Sequence, residues 1–241
     1  MIAYIRLEAA KTVRDTGYVV MGLVIPVTLY LIFSTLTIPA EVRADGALYS
    51  MIAMAAYGAL GGVFSNGTGT AEDKQTGWLR QLRLIPIAPW RVPAGKTATA
   101  AIIVVPALAL VLAAGALVHH VRLNPGQWLA IAVMLWIGTI PFSLFALGNG
   151  YLLTPQNAAA ANLAGYLAMS VVGGLWVPSA TFPGWLRTIS EWSPVNGYAN
   201  LSWSLAFDHT VNLRSAAVLL AWSTLFALYA GYAFRRAGRL T

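Results

Sequence analysis

Cysteine is absent from the 241 residues, which excludes disulfide staples, iron–sulfur clusters and thiol nucleophiles. Charge is almost as scarce. Asp, Glu, Lys and Arg make up only 10% of the chain, against about a quarter in a soluble domain. Three histidines and eight acids leave little material for a metal centre. HExxH and GxSxG are both missing, and so is any charged pair inside an apolar run. A proton-driven carrier usually keeps an ionisable group at membrane depth, because charge there is costly unless it is used. What remains is apolar: 58% of residues are hydrophobic and the mean hydropathy is +0.67. The chain therefore reads as an all-α integral membrane protein, a single transmembrane domain over 1–241. The net charge of +7 is read as topology rather than nucleic-acid binding, since cytoplasmic loops collect Lys and Arg.

Residues 1–17 form an expected amphipathic helix. Ile2, Ile5, Ala9 and Val13 share one side, and Arg6, Lys11, Arg14 and Asp15 lie on the other; such a helix lies flat among lipid headgroups. The basic residues are interleaved with apolar ones and a full-length span follows, so cleavage as a signal peptide is not expected. Six spans are expected at about 18–38, 47–66, 97–118, 128–152, 158–177 and 215–234. Between Leu123 and Leu186 there is no charge at all; as one helix that stretch would reach about 96 Å, so a turn is placed near Thr154-Pro155-Gln156-Asn157. With the N-terminus inside, eleven basic residues are cytoplasmic and four are outside (Arg43, Arg122, Arg187 and Arg214), which puts both termini in the cytoplasm.

One polar stretch, 67–96, interrupts the oily pattern. It holds five of the fifteen Lys and Arg residues. Within it, Gly77 to Pro86 has helical spacing, with Leu79, Leu82 and Leu84 on one face and Arg80 and Arg83 on another. Pro86 and Pro89 end it. The expectation is a surface helix gripped by a soluble protein, with Glu72 and Asp73 beside it. Simple contact with anionic lipid is the alternative for the arginines. Lys96, in Ala94-Gly95-Lys96-Thr97, resembles the end of a phosphate loop, but Trp90 stands where the first Gly is needed and no strand precedes it. Lys96 is instead expected to snorkel at a span end.

Gly58 and Gly62 make a GxxxG pattern that permits close helix approach; the alternative is that they are ordinary membrane-helix glycines. Asn149, Asn157 and Asn162 either line a polar translocation path or bond neighbouring helices. The segment 178–214 is too long and apolar for a simple turn. Trp185, Leu186, Ile189 and Trp192 share a helical face between Pro183 and Pro194, and a second short helix is expected over Tyr198 to Phe207. These are read as re-entrant or interfacial helices on the outer side.

The ordered set resembles the membrane subunits of ABC-2 type exporters. The resemblance rests on the flat N-terminal helix before a Pro-containing first span. It rests also on Glu72, Gly77, Leu79, Leu82 and Pro86 after the second, and on Phe182-Pro183-Gly184-Trp185-Leu186 with Trp192-Ser193-Pro194 before the last. Trp78 departs from the pattern, where a small residue is usual. The resemblance implies a permease without its own ATPase site or catalytic residues. It implies two copies of a separate ABC ATPase subunit that carry ATP and Mg, and a second permease subunit, expected as a homodimer. Contact with the ATPase is expected on Glu72, Asp73, Gly77, Leu79, Arg80, Leu82, Arg83 and Leu84. The chain itself is expected to bind no cofactor or metal. The short form is similar to drug and antibiotic efflux permeases of the bacterial cell membrane, and the same plan serves polysaccharide and glycolipid exporters. A secondary transporter would show an intramembrane carboxylate or inverted repeats, and neither is visible.

Overall fold

A computed structural model describes residues 10, 14–36, 43–77 and 91–239. Every regular element among them is helical. The first span opens with a helical turn, Thr16–Tyr18, capped by the Asp15 carboxylate on the Tyr18 amide at 2.8 Å. It continues as a π-helical segment, Val19–Val24, and then as α1, Ile25–Leu36. Arg14 and Asp15 are not helical, so the expected helix over 1–17 is broken before the span begins. Residues 1–9 and 11–13 lie outside the described residues.

The second span is the hub. α2, Arg43–Gln75, is one unbroken helix of 33 residues, about three and a half turns longer than the 47–66 expected. Its extra turns carry Gly67-Thr68-Gly69-Thr70, which reads as loop by composition. These turns stay helical because their polar groups are satisfied inside the bundle. Thr70 Oγ1 donates to the Asn66 carbonyl at 3.1 Å, and Asn162 Nδ2 donates to Thr68 Oγ1 at 3.2 Å. Glycine also permits an approach no side chain would allow.

α3, Arg91–Leu117, follows the polar stretch. The expected fourth span is two helices: α4, Pro125–Ile137, and α5, Ile140–Leu152, with a break at Gly138–Thr139. Pro141 supplies no amide for the carbonyl four residues back. Tyr198 packs against the gap, since a Cβ on Gly138 would stand 2.4 Å from its ring, and its hydroxyl donates to the Leu135 carbonyl at 2.8 Å. α6, Pro155–Val172, begins one residue after its Thr154 cap, close to the turn expected.

Five helical stretches among the described residues are long and apolar enough to cross a membrane: Thr16–Thr35, Asp45–Gln75, Pro93–Leu117, Pro125–Leu152 and Leu213–Ala237. The expected span at 158–177 corresponds to α6, which falls short because Pro155, Gln156, Asn157 and Asn162 lower the hydropathy of its first half. Before the last helix, α9, Leu213–Arg239, come a short 3-10 turn, Ser179–Thr181, and two helices. α7 is Gly184–Glu191 and α8 is Pro194–Phe207. α8 starts four residues earlier than expected, because Ser193 caps it on the Asn196 amide. It inserts Val195, Tyr198, Ala199, Trp203 and Ala206 into the main core. α7 leaves Trp185, Ile189 and Trp192 exposed along one side.

Gly58 and Gly62 lie where α2 meets the first span. A Cβ on Gly58 would stand 2.9 Å from the Gly22 carbonyl oxygen, and one on Gly62 would stand 3.2 Å from the Tyr18 ring. The crossing of α2 with α5 is closer still, with a Cβ on Gly150 placed 2.4 Å from the Gly67 carbonyl oxygen. Membrane helices gain little from expelling lipid, so such small-residue contacts are a principal source of cohesion.

Candidate functional site: the braced helix end and the groove beside it

The last turn of α2, the first turns of α3, the α5–α6 turn and residues 14–17 gather at one end of the bundle. Two side chains of α2 organise that end. The Asp73 carboxylate forms an ion pair with the Lys96 ammonium of α3, and both side chains are almost wholly buried. Next to it, Lys74 Nζ donates to the carbonyls of Tyr151 at 2.9 Å and Leu153 at 2.7 Å. Those carbonyls close the C-terminal end of α5, where a helix presents unpaired acceptors and favours positive charge. Gly77 ends the polar turn with a φ of 77°, in the left-handed region glycine enters without strain.

This arrangement corrects three expectations. Lys96 does not snorkel; it turns inward to a partner 23 residues away in sequence. Asp73, expected beside an exposed helix, is buried and paired with Lys96. A charged pair inside two apolar helices, read as missing, is present at their shared end. No spacing rule could join the two residues, since the whole polar stretch intervenes. Removing one member of a buried ion pair generally costs about 3–5 kcal/mol. Glu72 is exposed. Leu79, Arg80, Leu82, Arg83 and Leu84, with Trp78 and Pro86, lie outside the described residues.

A groove of about 510 Å³ opens at the same end, between the start of the first span, α2 and α6. Arg14, Asp15, Glu72 and Lys96 stand at its charged part. Met21, Phe64, Leu163 and Tyr166 supply apolar wall, and Ser65, Asn66, Thr68 and Asn162 supply polar wall. The Asn66 side-chain oxygen is buried without a hydrogen-bond partner. The combination suits a ligand that is mostly apolar with a few polar points.

The three asparagines part company. Asn162 lines the groove and also bonds across it. Asn149 Nδ2 donates to Asn162 Oδ1 at 2.8 Å, and Tyr229 donates to Asn149 Oδ1 at 2.7 Å. With the Thr68 contact, this chain of bonds ties α9, α5, α6 and α2 together. Asn149 is therefore behind the wall, acting as a tie. Asn157 is exposed on the first turn of α6, its amide held by Thr154 Oγ1. Tyr229 was not visible as a participant in the sequence, because a Tyr in a last span reads as an interface anchor. Among the described residues, no three His, Asp or Glu gather as metal ligands would.

The opposite end carries a second, more polar hollow of about 370 Å³ near Tyr49, Glu191, Asn200, Trp203 and Arg214. There Arg214 meets Glu191 at 3.1 Å, and Trp203 stacks on Tyr49 with ring centroids 4.3 Å apart. These contacts fix α7 and α8 against α9 and α2.

The sequence profile described as "ABC-2 type transporter" matches residues 1–202. The chain belongs to the ABC-2 type transporter family. A relative named "Putative transport permease YvfS", from Bacillus subtilis (strain 168), is 22% identical over 232 residues, covering 95% of this chain and 94% of the relative. As an ABC-2 type transporter membrane domain, the chain is a multi-pass transport subunit, and the family implies an ABC ATPase as partner. The ABC-2 profile takes in the braced end, the groove and α8 up to residue 202.

Proposed function

We propose that this chain is the permease subunit of an ATP-driven exporter moving a hydrophobic drug, antibiotic or lipid-like molecule outward across a bacterial cell membrane. Six crossings, with α6 as the fifth, place both termini in the cytoplasm. Two copies pair as a homodimer above two ATPase subunits, which hold the ATP and Mg. The ATPase contact lies on Glu72, Gly77 and the segment 78–90, with Leu79, Leu82 and Leu84 as anchors and Arg80 and Arg83 at the rim. The molecule enters along the groove that Asn162 lines, and α7 lies in the outer membrane interface through Trp185 and Trp192.

The observation that supports this reading best is adjacency. The groove opens where the polar segment leaves α2 and rejoins α3, so a partner moving that segment acts at the groove mouth. The test is co-purification of the chain with a partner ATPase, followed by ATP hydrolysis and efflux of a hydrophobic bisbenzimide dye in lipid vesicles. Leu82→Asp is expected to reduce dye efflux more severely than Arg80→Ala, because burying one leucine is worth roughly 1.5–3 kcal/mol and a rim charge about 0–1 kcal/mol. Equal efflux by the two variants would contradict the contact. Gradient-driven transport by the chain alone would contradict the exporter.

A further inference from the structure

The Asp73–Lys96 pair has a cost that fold stability does not explain. Asp73 sits in the last turn of α2, the negative end of its own helix, where a carboxylate is unfavourable. Both groups have lost their water. An apolar pair of similar volume would hold two helices together as well or better. What an ion pair adds is direction, since it resists sliding and rotation that apolar contacts tolerate. Its location matches that property. The polar segment leaves α2 just after Asp73 and rejoins α3 just before Lys96. On the adjoining face of the same turn, Lys74 holds the end of α5.

We propose that the buried Asp73–Lys96 ion pair is a coupling strut, a pair of positioning residues that makes the ends of α2 and α3 move as one body when an ATPase subunit displaces the segment between them. The proposal rests on the exporter reading above. With the pair intact, a displacement of the segment reaches α2, the buried hub, and through Lys74 reaches α5. With the pair neutralised, the two helix ends yield separately and the displacement is lost locally.

The absence of native cysteine permits a clean test. A single Leu213→Cys, exposed at the far end of the bundle, carries a fluorescent reporter in the permease–ATPase complex. Its response to a non-hydrolysable ATP analogue is compared with ATP hydrolysis measured on the same complex. In Asp73→Asn and in Lys96→Gln, the reporter response is expected to fall at least fivefold, and in Asp73→Asn, which lies outside the groove lining, hydrolysis stays within twofold and the ATPase remains bound. The double variant Asp73→Leu/Lys96→Met separates coupling from folding. It is expected to keep the melting temperature of the unaltered complex and still lack the response, and it carries the test if the single variants fail to fold. An undiminished response in the single variants, or its return in the apolar double variant, overturns the strut. A complex that never forms, or an unaltered complex whose reporter is silent, overturns the exporter reading instead.

Discussion

The second and last spans are nearly equal in apolar character yet occupy opposite positions. The most apolar stretch of Asp45–Gln75 has a mean hydropathy of 1.5 and 89% of it is buried; that of Leu213–Ala237 has 1.6 and 22% of it is buried. In water, the more apolar helix would be expected inside. Here lipid is as apolar as leucine, so hydrophobicity does not sort helices between core and surface. Shape and hydrogen bonding do. α2 is built on Gly58, Gly61, Gly62 and Gly67, with Thr68 and Thr70 along it, and its neighbours approach almost backbone to backbone. α9 turns Leu220, Leu225 and Leu228 outward.

The comparison breaks most visibly at the closest crossing. Gly150→Leu would force a branched side chain onto the Gly67 carbonyl. Overpacking of this kind costs about 1–3 kcal/mol or more, and the expected outcome is loss of folded, monodisperse protein in detergent. A Gly150→Leu variant that purifies with an unchanged melting temperature would remove the crossing from the account. Asn162→Leu comes next. It leaves the Asn149 amide without its acceptor, and a stranded buried group costs about 1–3 kcal/mol. A melting temperature lowered by several degrees is expected, with a smaller drop for Tyr229→Phe, which removes only the outer bond of the same network. The smallest effect is expected on α9. Leu220→Ala, well away from buried contacts, should shift stability by no more than about 0.5 kcal/mol. A large drop there in the assembled protein, but not in the isolated chain, would mark this face as the seat of the second copy.

The same contrast explains what was legible in the sequence. Long apolar runs set the order of the spans but not their number, since six are expected and five helical stretches among the described residues are long and apolar enough to cross; Pro183, Pro194 and the tryptophans between them placed α7 almost to the residue. The GxxxG at Gly58 and Gly62 pointed to close packing, and the structure sets it against the first span. The errors cluster where satisfaction is tertiary. The stretch from Gly67 to Gln75 reads as loop because its polar groups are counted as needing water, whereas Asn162 and the helix's own carbonyls meet them. Lys96 and Asp73 read as separate surface charges because each was judged against solvent. The break at Gly138 depends on Tyr198, sixty residues onward. The residues expected as the partner contact, Leu79 to Leu84, lie outside the described residues.

The π-helical segment Val19–Val24 has a consequence for the groove. A π turn holds one residue more than the α-helix it replaces, so everything before it is turned by about 100° relative to everything after. That phase is what sets Tyr18 against Gly62 and its hydroxyl on the Ile103 carbonyl, with Arg14 and Asp15 left beside the opening. Winding the same residues as ordinary α-helix would swing those charges away and change the doorway, whereas deleting a single residue from the segment would let it close into α-helix with the charges kept in phase.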